Sequence, residues 1–167
     1  MQKINFIKMQ GLGNDFVIID KRINNIAITK KLIKKLSDRK SGVGCDQLIT
    51  IVHSNKKDIH ARIEIYNYNG DRVEACGNGT RCVAKILFNE TKLKEIKIIS
   101  DAGIINAKKI NTNNISVNLG KLTTNWKKIP LSKNIDSLDI PINIEGLNNG
   151  VAVNIGNPHC VFFLKNI

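Results

Sequence analysis

The alternation of apolar and polar positions over the first 120 residues predicts a series of short strands. The strand candidates are INFIKMQ, FVIID, QLITIV, HARIEIYNY, EIKIIS, GIINAKK and NISVNL. In the fourth of these, Ile63 and Ile65 alternate with Arg62 and Glu64, which is typical of a strand with one buried face and one solvated face. QLITIV is largely apolar and predicts a buried strand.

Two segments have a helical pattern instead. Thr29 is a candidate N-cap for a helix over KKLIKKLSDRK, where Leu32, Ile33 and Leu36 share one face and Gly42 marks the end. TRCVAKILFNE predicts a second helix, directly after the loop NGDRVEACGNG. Helices interspersed with strands in this way indicate an α/β protein.

The pattern weakens after Gly120. The next 30 or so residues hold Pro130 and Pro141 and show little periodicity, so they predict a linker. VAVNIGNPHCVFFL follows, in which Gly-Asn precedes an apolar run, as it does in GLGNDFVIID. This weak internal repeat pairs Asn14 with Asn157. We therefore expect one complete domain over 1–120, and a linker with the beginning of a second domain over 121–167.

Composition narrows the function classes. The net charge of +12 would suit nucleic acid, but the basic residues are dispersed and aromatic residues make up only 5% of the chain. A basic nucleic-acid-binding module is therefore kept only as an alternative. The chain lacks a run of 18 apolar residues and a secretion signal at its start, which predicts a cytoplasmic protein without a membrane span. Its four cysteines are expected to be reduced.

Cys76 is the candidate reactive residue. In EACGNGTRC it stands just ahead of a predicted helix, whose free N–H groups and dipole favour a thiolate. Gly77 and Gly79 allow a ligand to approach the backbone, where a carboxylate could bind beside the thiol. The alternatives from the residues alone are a buried cysteine beside a glycine turn and a phosphate-binding loop, although the segment has neither GxxxxGK(S/T) nor GxGxxG.

The other cysteines and the histidines give weaker signals. Cys82 lies about 240° further round the predicted helix, which favours core packing. Cys160 begins an apolar run and is also expected in the core, whereas the role of Cys45 is open. His53 and His60 are expected at or near the surface. His159 differs because it follows Asn157-Pro158, and it is a candidate site residue.

Four segments together resemble the signature blocks of diaminopimelate epimerases. They are KMQGLGNDFVIID, GVGCDQL, YNYNGDRVEACGNGTRC and NIGNPHCV, in the order and at the spacing of that family. The resemblance covers essentially the whole chain but only the first part of the family's length. It implies a pseudo-symmetric epimerase fold of two similar α/β domains, each a mixed sheet wrapped round a central helix.

The resemblance also implies an activity and a set of site residues. The activity is the epimerisation of L,L-2,6-diaminopimelate to meso-diaminopimelate by two cysteines, without a cofactor or metal, on the route to lysine and peptidoglycan. By resemblance, Cys76 is one catalytic cysteine and His159 lies beside the site. The residues that match substrate contacts are Asn14, Gln47, Asn67 and Asn157, together with the backbone of Gly77 and Asn78.

The second cysteine block of the family has no counterpart in this sequence. We therefore expect weak or no epimerisation by this chain alone. A related two-domain isomerase, of the proline racemase or phenazine-pathway kind, is an alternative, although GLGNDF and NPHC favour the diaminopimelate branch. Exposed sheet edges would favour self-association, for example as a homodimer. The expected partner is otherwise a small-molecule substrate, with neither nucleic acid nor membrane.

Overall fold

The computed structural model describes residues 3–23, 26–142, 144 and 146–164. The chain divides into two compact units, Met1–Asn118 and Leu119–Ile167. The first unit contains both α-helices, α1 (Lys30–Ser37) and α2 (Gly77–Thr91). Its strands are β1 (Ile7–Gly11), β2 (Asn14–Asp20), β3 (Gln47–Val52), β4 (Ala61–Asn67), β5 (Arg72–Val73), β6 (Glu95–Ser100), β7 (Gly103–Lys109) and β8 (Ile115–Asn118).

All eight strands belong to one mixed sheet. The strand order is β1-β2-β3-β4-β6-β7-β8, and the short β5 pairs with β4. The pairs β2–β3 and β4–β6 are parallel, and the remaining pairs are antiparallel. Each predicted strand is present. The two-residue strand β5 was missed because two residues are too few to show periodicity.

The sheet curls round α2. This helix contacts β1 and β8, which are the two ends of the strand order, as well as strands between them. A flat sheet could not bring both ends to one helix, so the contacts require the curvature. Buried side chains of α2 meet buried side chains of the strands in one apolar core, which includes Phe16, Ile49, Ile63, Ile98, Val83, Leu87 and Phe88. The predicted α/β fold, with a mixed sheet wrapped round a central helix, is confirmed.

A smaller apolar cluster lies on the opposite face of β2 and β3. Val17, Ile19 and Leu48 point there, because successive residues of a strand face opposite sides of the sheet. Helix α1 covers them with Ile33, supported by Leu32 and Leu36, as its periodicity predicted. Thr29 is confirmed as its N-cap, since its hydroxyl accepts from the Leu32 N–H at 3.2 Å. The helix ends at Ser37, earlier than expected, because Asp38 has extended backbone and its carboxylate accepts from the Lys40 and Ser41 N–H groups.

The second unit contains a short 3₁₀ helix, Trp126–Lys128, and a β-hairpin of β9 (Val151–Asn154) and β10 (Pro158–Val161). Ile129, Ile140 and Ala152 form its small buried cluster, so part of the stretch expected to be a linker is packed. Cys160 is exposed on β10, and the expectation that it lies in the core is wrong. Cys160 begins an apolar run in the sequence, yet all four residues of β10 are exposed.

Candidate functional site

Cys76 is the N-cap of α2. The helix begins at Gly77, three residues earlier than the sequence predicted, because Cys76 itself has extended backbone and its Sγ accepts from the Gly79 N–H at 3.4 Å. The predicted start at Thr80 missed this turn because the Gly-Asn-Gly sequence is typical of a loop. Gly77 and Asn78 therefore form the first helical turn, where backbone N–H groups have no carbonyl partner within the helix.

Three amide side chains lie at the same end of the sheet as that turn. Asn14 is the first residue of β2, Gln47 is the first of the parallel strand β3, and Asn67 is the last of the antiparallel β4. Each lies two residues from a side chain in the core around α2, namely Phe16, Ile49 or Ile65. The two-residue repeat of a strand therefore places all three amides on the face of the sheet that bears α2.

The amides are connected to one another and to the thiol. Gln47 Nε2 donates to Asn67 Oδ1 at 3.0 Å. The Oε1 atom of Gln47 is buried and has no hydrogen-bond partner among the described residues. It is an acceptor available to a bound ammonium group. The Sγ atom of Cys76 lies 3.9 Å from Asn14 Oδ1, so the thiol faces the start of β2. Six of the eight residues expected at the site therefore lie in the first unit. They are Cys76, the three amides, and Gly77 and Asn78 at the helix start.

Burial controls the protonation of Cys76. It raises the pKa of the thiol above the ordinary value, although the N–H groups of Gly79 and Asn78 and the positive charge of Arg81 act in the opposite direction. The helix start thus reduces the effect of burial without outweighing it, and the expected net preference for a thiolate is not found. Burial also raises the pKa of Cys82, to about 11, and this thiol is confirmed as a core residue.

Gly79 allows α2 to lie close to the sheet beside the thiol. A Cβ atom added there would lie 2.5 Å from Ile49 Cδ1 and 3.3 Å from Phe16 Cε1. Both of these side chains are completely buried, so they have little room to move. The absence of a side chain at position 79 therefore allows the start of α2, with Cys76, to pack directly against β2 and β3.

Gly79→Ala is expected to lower the free energy of unfolding by about 1 kcal/mol, because overpacking outweighs the gain in helix propensity. Urea unfolding followed by circular dichroism measures this change. Ile49→Val removes the Cδ1 atom that the new methyl group would meet. The double variant Gly79→Ala/Ile49→Val is therefore expected to lose less unfolding free energy than the sum of the losses of the two single variants. Simple additivity of the two losses would contradict the proposed contact.

A charged network behind Asn14 was missed by the sequence analysis. Asp46 Oδ2 accepts from Asn14 Nδ2 at 2.8 Å, and Arg39 Nη2 donates to Asp46 Oδ1 at 2.8 Å. Arg39 also binds both carboxylate oxygens of Asp15, at 2.7 and 3.0 Å. The Arg39 guanidinium, with help from Lys8, holds the pKa of the Asp15 carboxyl well below its usual value. The chain offers no local signal for this network, since its members come from separate segments.

Asn157 and His159 lie in the second unit. They occupy the β9–β10 hairpin, where the ring Nδ1 of His159 is 3.0 Å from the Asn157 carbonyl oxygen and the His159 side chain is exposed. Gly156 precedes Asn157 with a φ of 105°, as Gly13 precedes Asn14 with a φ of 82°. Both Gly-Asn pairs therefore stand at a hairpin turn, and only glycine tolerates these φ values freely.

Among the described residues, no group of three or more His, Cys, Asp or Glu side chains could hold a metal ion. The same residues include no helix long and apolar enough to cross a membrane.

Comparisons with known proteins identify the family. The family model for diaminopimelate epimerase matches residues 6–125. The diaminopimelate epimerase of Pelagibacter ubique is 44% identical, over 98% of this chain and 61% of its own length. That of Zymomonas mobilis is 40% identical, over 98% of this chain and 58% of its own length. The chain thus spans about three fifths of the curated relatives that it matches.

Solved structures share the fold at low sequence identity. A probable proline racemase from Agrobacterium radiobacter superposes with a TM-score of 0.70 at 11% identity, covering 96% of this chain and 52% of that protein. A hydroxyproline epimerase from Agrobacterium vitis gives 0.67 at 10% identity, covering 94% and 50%. These likenesses concern the fold alone. The family match and the relatives show that the chain belongs to the diaminopimelate epimerase family.

Proposed function

We propose that this chain binds L,L-2,6-diaminopimelate at the start of α2 and that Cys76 exchanges the α-proton of the substrate. The reaction is the cofactor-independent epimerisation to meso-diaminopimelate, in which a second thiol serves the opposite face of the α-carbon. The relatives that match nearly the whole chain are named for this reaction. By the family resemblance, Asn157 is also proposed as a substrate contact and His159 as an aid to a thiol.

The observation that carries the proposal is the meeting of Cys76, three amides and a helix N-terminus in one place. The Cys76 sulfur lies 3.9 Å from Asn14, and the amides of Gln47 and Asn67 are joined at 3.0 Å. A substrate with ammonium and carboxylate groups requires both donors and acceptors, and amide side chains offer both. The first-turn N–H groups of α2 suit the α-carboxylate, since they are donors at the positive end of the helix.

The raised pKa of Cys76 makes its thiolate a stronger base, although a smaller fraction of the thiol is ionised. An α-proton of an amino acid is very weakly acidic, so a base formed from a thiol of raised pKa has a stronger thermodynamic drive to remove it. The adjoining N–H groups then stabilise the charge that develops on the substrate carboxylate. The two-cysteine scheme stays a prediction, and the other cysteines of the first unit, Cys45 and Cys82, are both buried.

Deuterium exchange tests the proposal directly. The reduced protein is incubated with L,L-diaminopimelate in D₂O, and the α-proton signal is followed by NMR. Loss of that signal is expected. The meso isomer forms if a second thiol is available, and the L,L configuration is retained if it is not. D-Lysine and L-proline serve as comparison substrates, and neither is expected to exchange. Preferred exchange of proline would favour the racemase alternative, and an unchanged α-proton in diaminopimelate would contradict the activity proposed for this chain.

A further inference from the structure

The amide of Asn14 can present either of two chemically opposite atoms to Cys76. Its carbonyl oxygen accepts a hydrogen bond, whereas its NH₂ group only donates, and the two ends have nearly the same size. If the oxygen faces the sulfur, the thiol S–H has an acceptor. If the NH₂ group faces the sulfur, a thiolate has a donor. The orientation of this amide thus decides which protonation state of Cys76 is favoured.

Asp46 removes that freedom. An ionised carboxylate can only accept, so the end of the Asn14 amide that meets it must be the NH₂ group. Asn14 Nδ2 donates to Asp46 Oδ2 at 2.8 Å, and the other end, Oδ1, is the atom that lies 3.9 Å from the Cys76 sulfur. The choice between the two orientations therefore follows from the chemistry of Asp46 and not from the shape of the amide.

Asp46 is itself held in place by several donors. The same Oδ2 accepts from the Asp15 backbone N–H at 3.0 Å, and Oδ1 accepts from Arg39 at 2.8 Å. The backbone N–H of Asp46 donates back to Asp15 Oδ1 at 2.8 Å. These bonds join the start of β2 to the start of β3, which are neighbouring parallel strands. Asp46 cannot rotate away from Asn14 without breaking them.

We propose that Asp46, supported by Arg39, is a positioning residue that fixes the Asn14 amide so that its carbonyl oxygen faces the Cys76 thiol. The inference rests on the proposed function in that Cys76 is the reacting thiol. Asp46 does not touch the reacting atoms and acts through Asn14. Among the other groups, the charge of Arg81 on α2 favours the Cys76 thiolate, and burial keeps Cys82 on the same helix protonated. Glu74, two residues before Cys76, is exposed.

The test is the pH profile of Cys76 alkylation. Iodoacetamide modifies only the thiolate, and mass spectrometry of the digested protein follows the Cys76 peptide separately from the exposed Cys160. In the Asp46→Ala variant the Asn14 amide is free to turn its NH₂ group towards the thiolate. The midpoint of the profile is then expected to move down by about one pH unit, which raises the alkylation rate at pH 7.5 about tenfold.

A double-mutant cycle separates positioning from the loss of a nearby negative charge. In an Asn14→Ala background, Asp46→Ala is expected to leave the profile almost unchanged, because the amide that transmits the effect is gone. An equal shift in both backgrounds would overturn the proposal, since the carboxylate would then act through its field. No shift in the single variant would also overturn it.

Folding is checked by circular dichroism, and Asp46→Asn replaces Asp46→Ala in the cycle if the alanine variant unfolds. Asparagine keeps the shape of the side chain but loses the acceptor-only character, so a shift in the same direction is expected. Alkylation requires no substrate. The result therefore stands whether or not the chain exchanges the α-proton of diaminopimelate, and failure of the proposed function can be told apart from failure of this inference.

Discussion

Cys76→Ala is expected to reduce the rate of α-proton exchange from L,L-diaminopimelate by roughly 10³-fold relative to the unmodified chain. General acid–base groups contribute about 10² to 10⁴-fold, and no other thiol of the first unit lies at the start of α2 among the described residues. The rate is measured by NMR in D₂O, with the thiols kept reduced. Cys76→Ser is expected to lose nearly as much, because a serine hydroxyl is almost never ionised near neutral pH and therefore supplies almost no base.

The matched control is Cys160→Ser, which alters an exposed cysteine on β10. It is expected to leave the exchange rate within about twofold of the unmodified chain. If Cys76→Ala retained the full rate, or if Cys160→Ser lost as much as Cys76→Ala, the assignment of Cys76 as the proton carrier would be wrong. Circular dichroism of both variants shows whether the loss reflects chemistry or unfolding.

Phe88→Ala is expected to lower the free energy of unfolding by about 3–5 kcal/mol, which is the usual cost of removing a buried aromatic ring. Phe88 lies on α2 in the core inside the curled sheet and is only 2% exposed. Its removal leaves a cavity at the place where the helix joins the strands. Urea denaturation gives the free energy of unfolding. A lower midpoint with an unchanged dependence on urea concentration shows that stability has changed.

The control for this loss is Phe6→Ala, in the same unit. Phe6 is 41% exposed, so its ring is already partly in water and little apolar area is returned to solvent. We expect a loss of about 1 kcal/mol or less. Similar losses at both positions would contradict a core centred on α2. If the helix and sheet signals of Phe88→Ala are lost over the same range of urea concentration, α2 and the sheet unfold together.

The strands were predictable because their burial follows local periodicity. In β4, Ile63 and Ile65 are buried while Arg62 and Glu64 are half-buried, as the alternation indicated. The limits of β6 and β7 also agree with the apolar runs bounded by turn residues. Hydrophobic patterning acts over a few residues, so one face of each strand can be identified without knowledge of its neighbours.

Two of the errors arose because tertiary packing overrode the local sequence pattern. Cys160 was expected in the core because the residues after it are apolar, yet β10 forms a two-stranded sheet with β9 and its residues are exposed. The start of α2 was placed too late because Gly77-Asn78-Gly79 disfavours a helix locally. The packing of Gly79 against Ile49 and Phe16, together with the Cys76 cap, overrides that preference.

By itself the sequence determined the strands of the first unit other than β5, the two helices and the family, because each rests on local patterns or on matched blocks of residues. Only the tertiary structure decided which atoms face Cys76. Asn14 and Asp46 are 32 positions apart, and their hydrogen bond exists because β2 and β3 pair in parallel. Burial of the thiol is likewise a property of the assembled sheet and helix, which is why the raised pKa of Cys76 could not be foreseen from a cysteine beside a helix start.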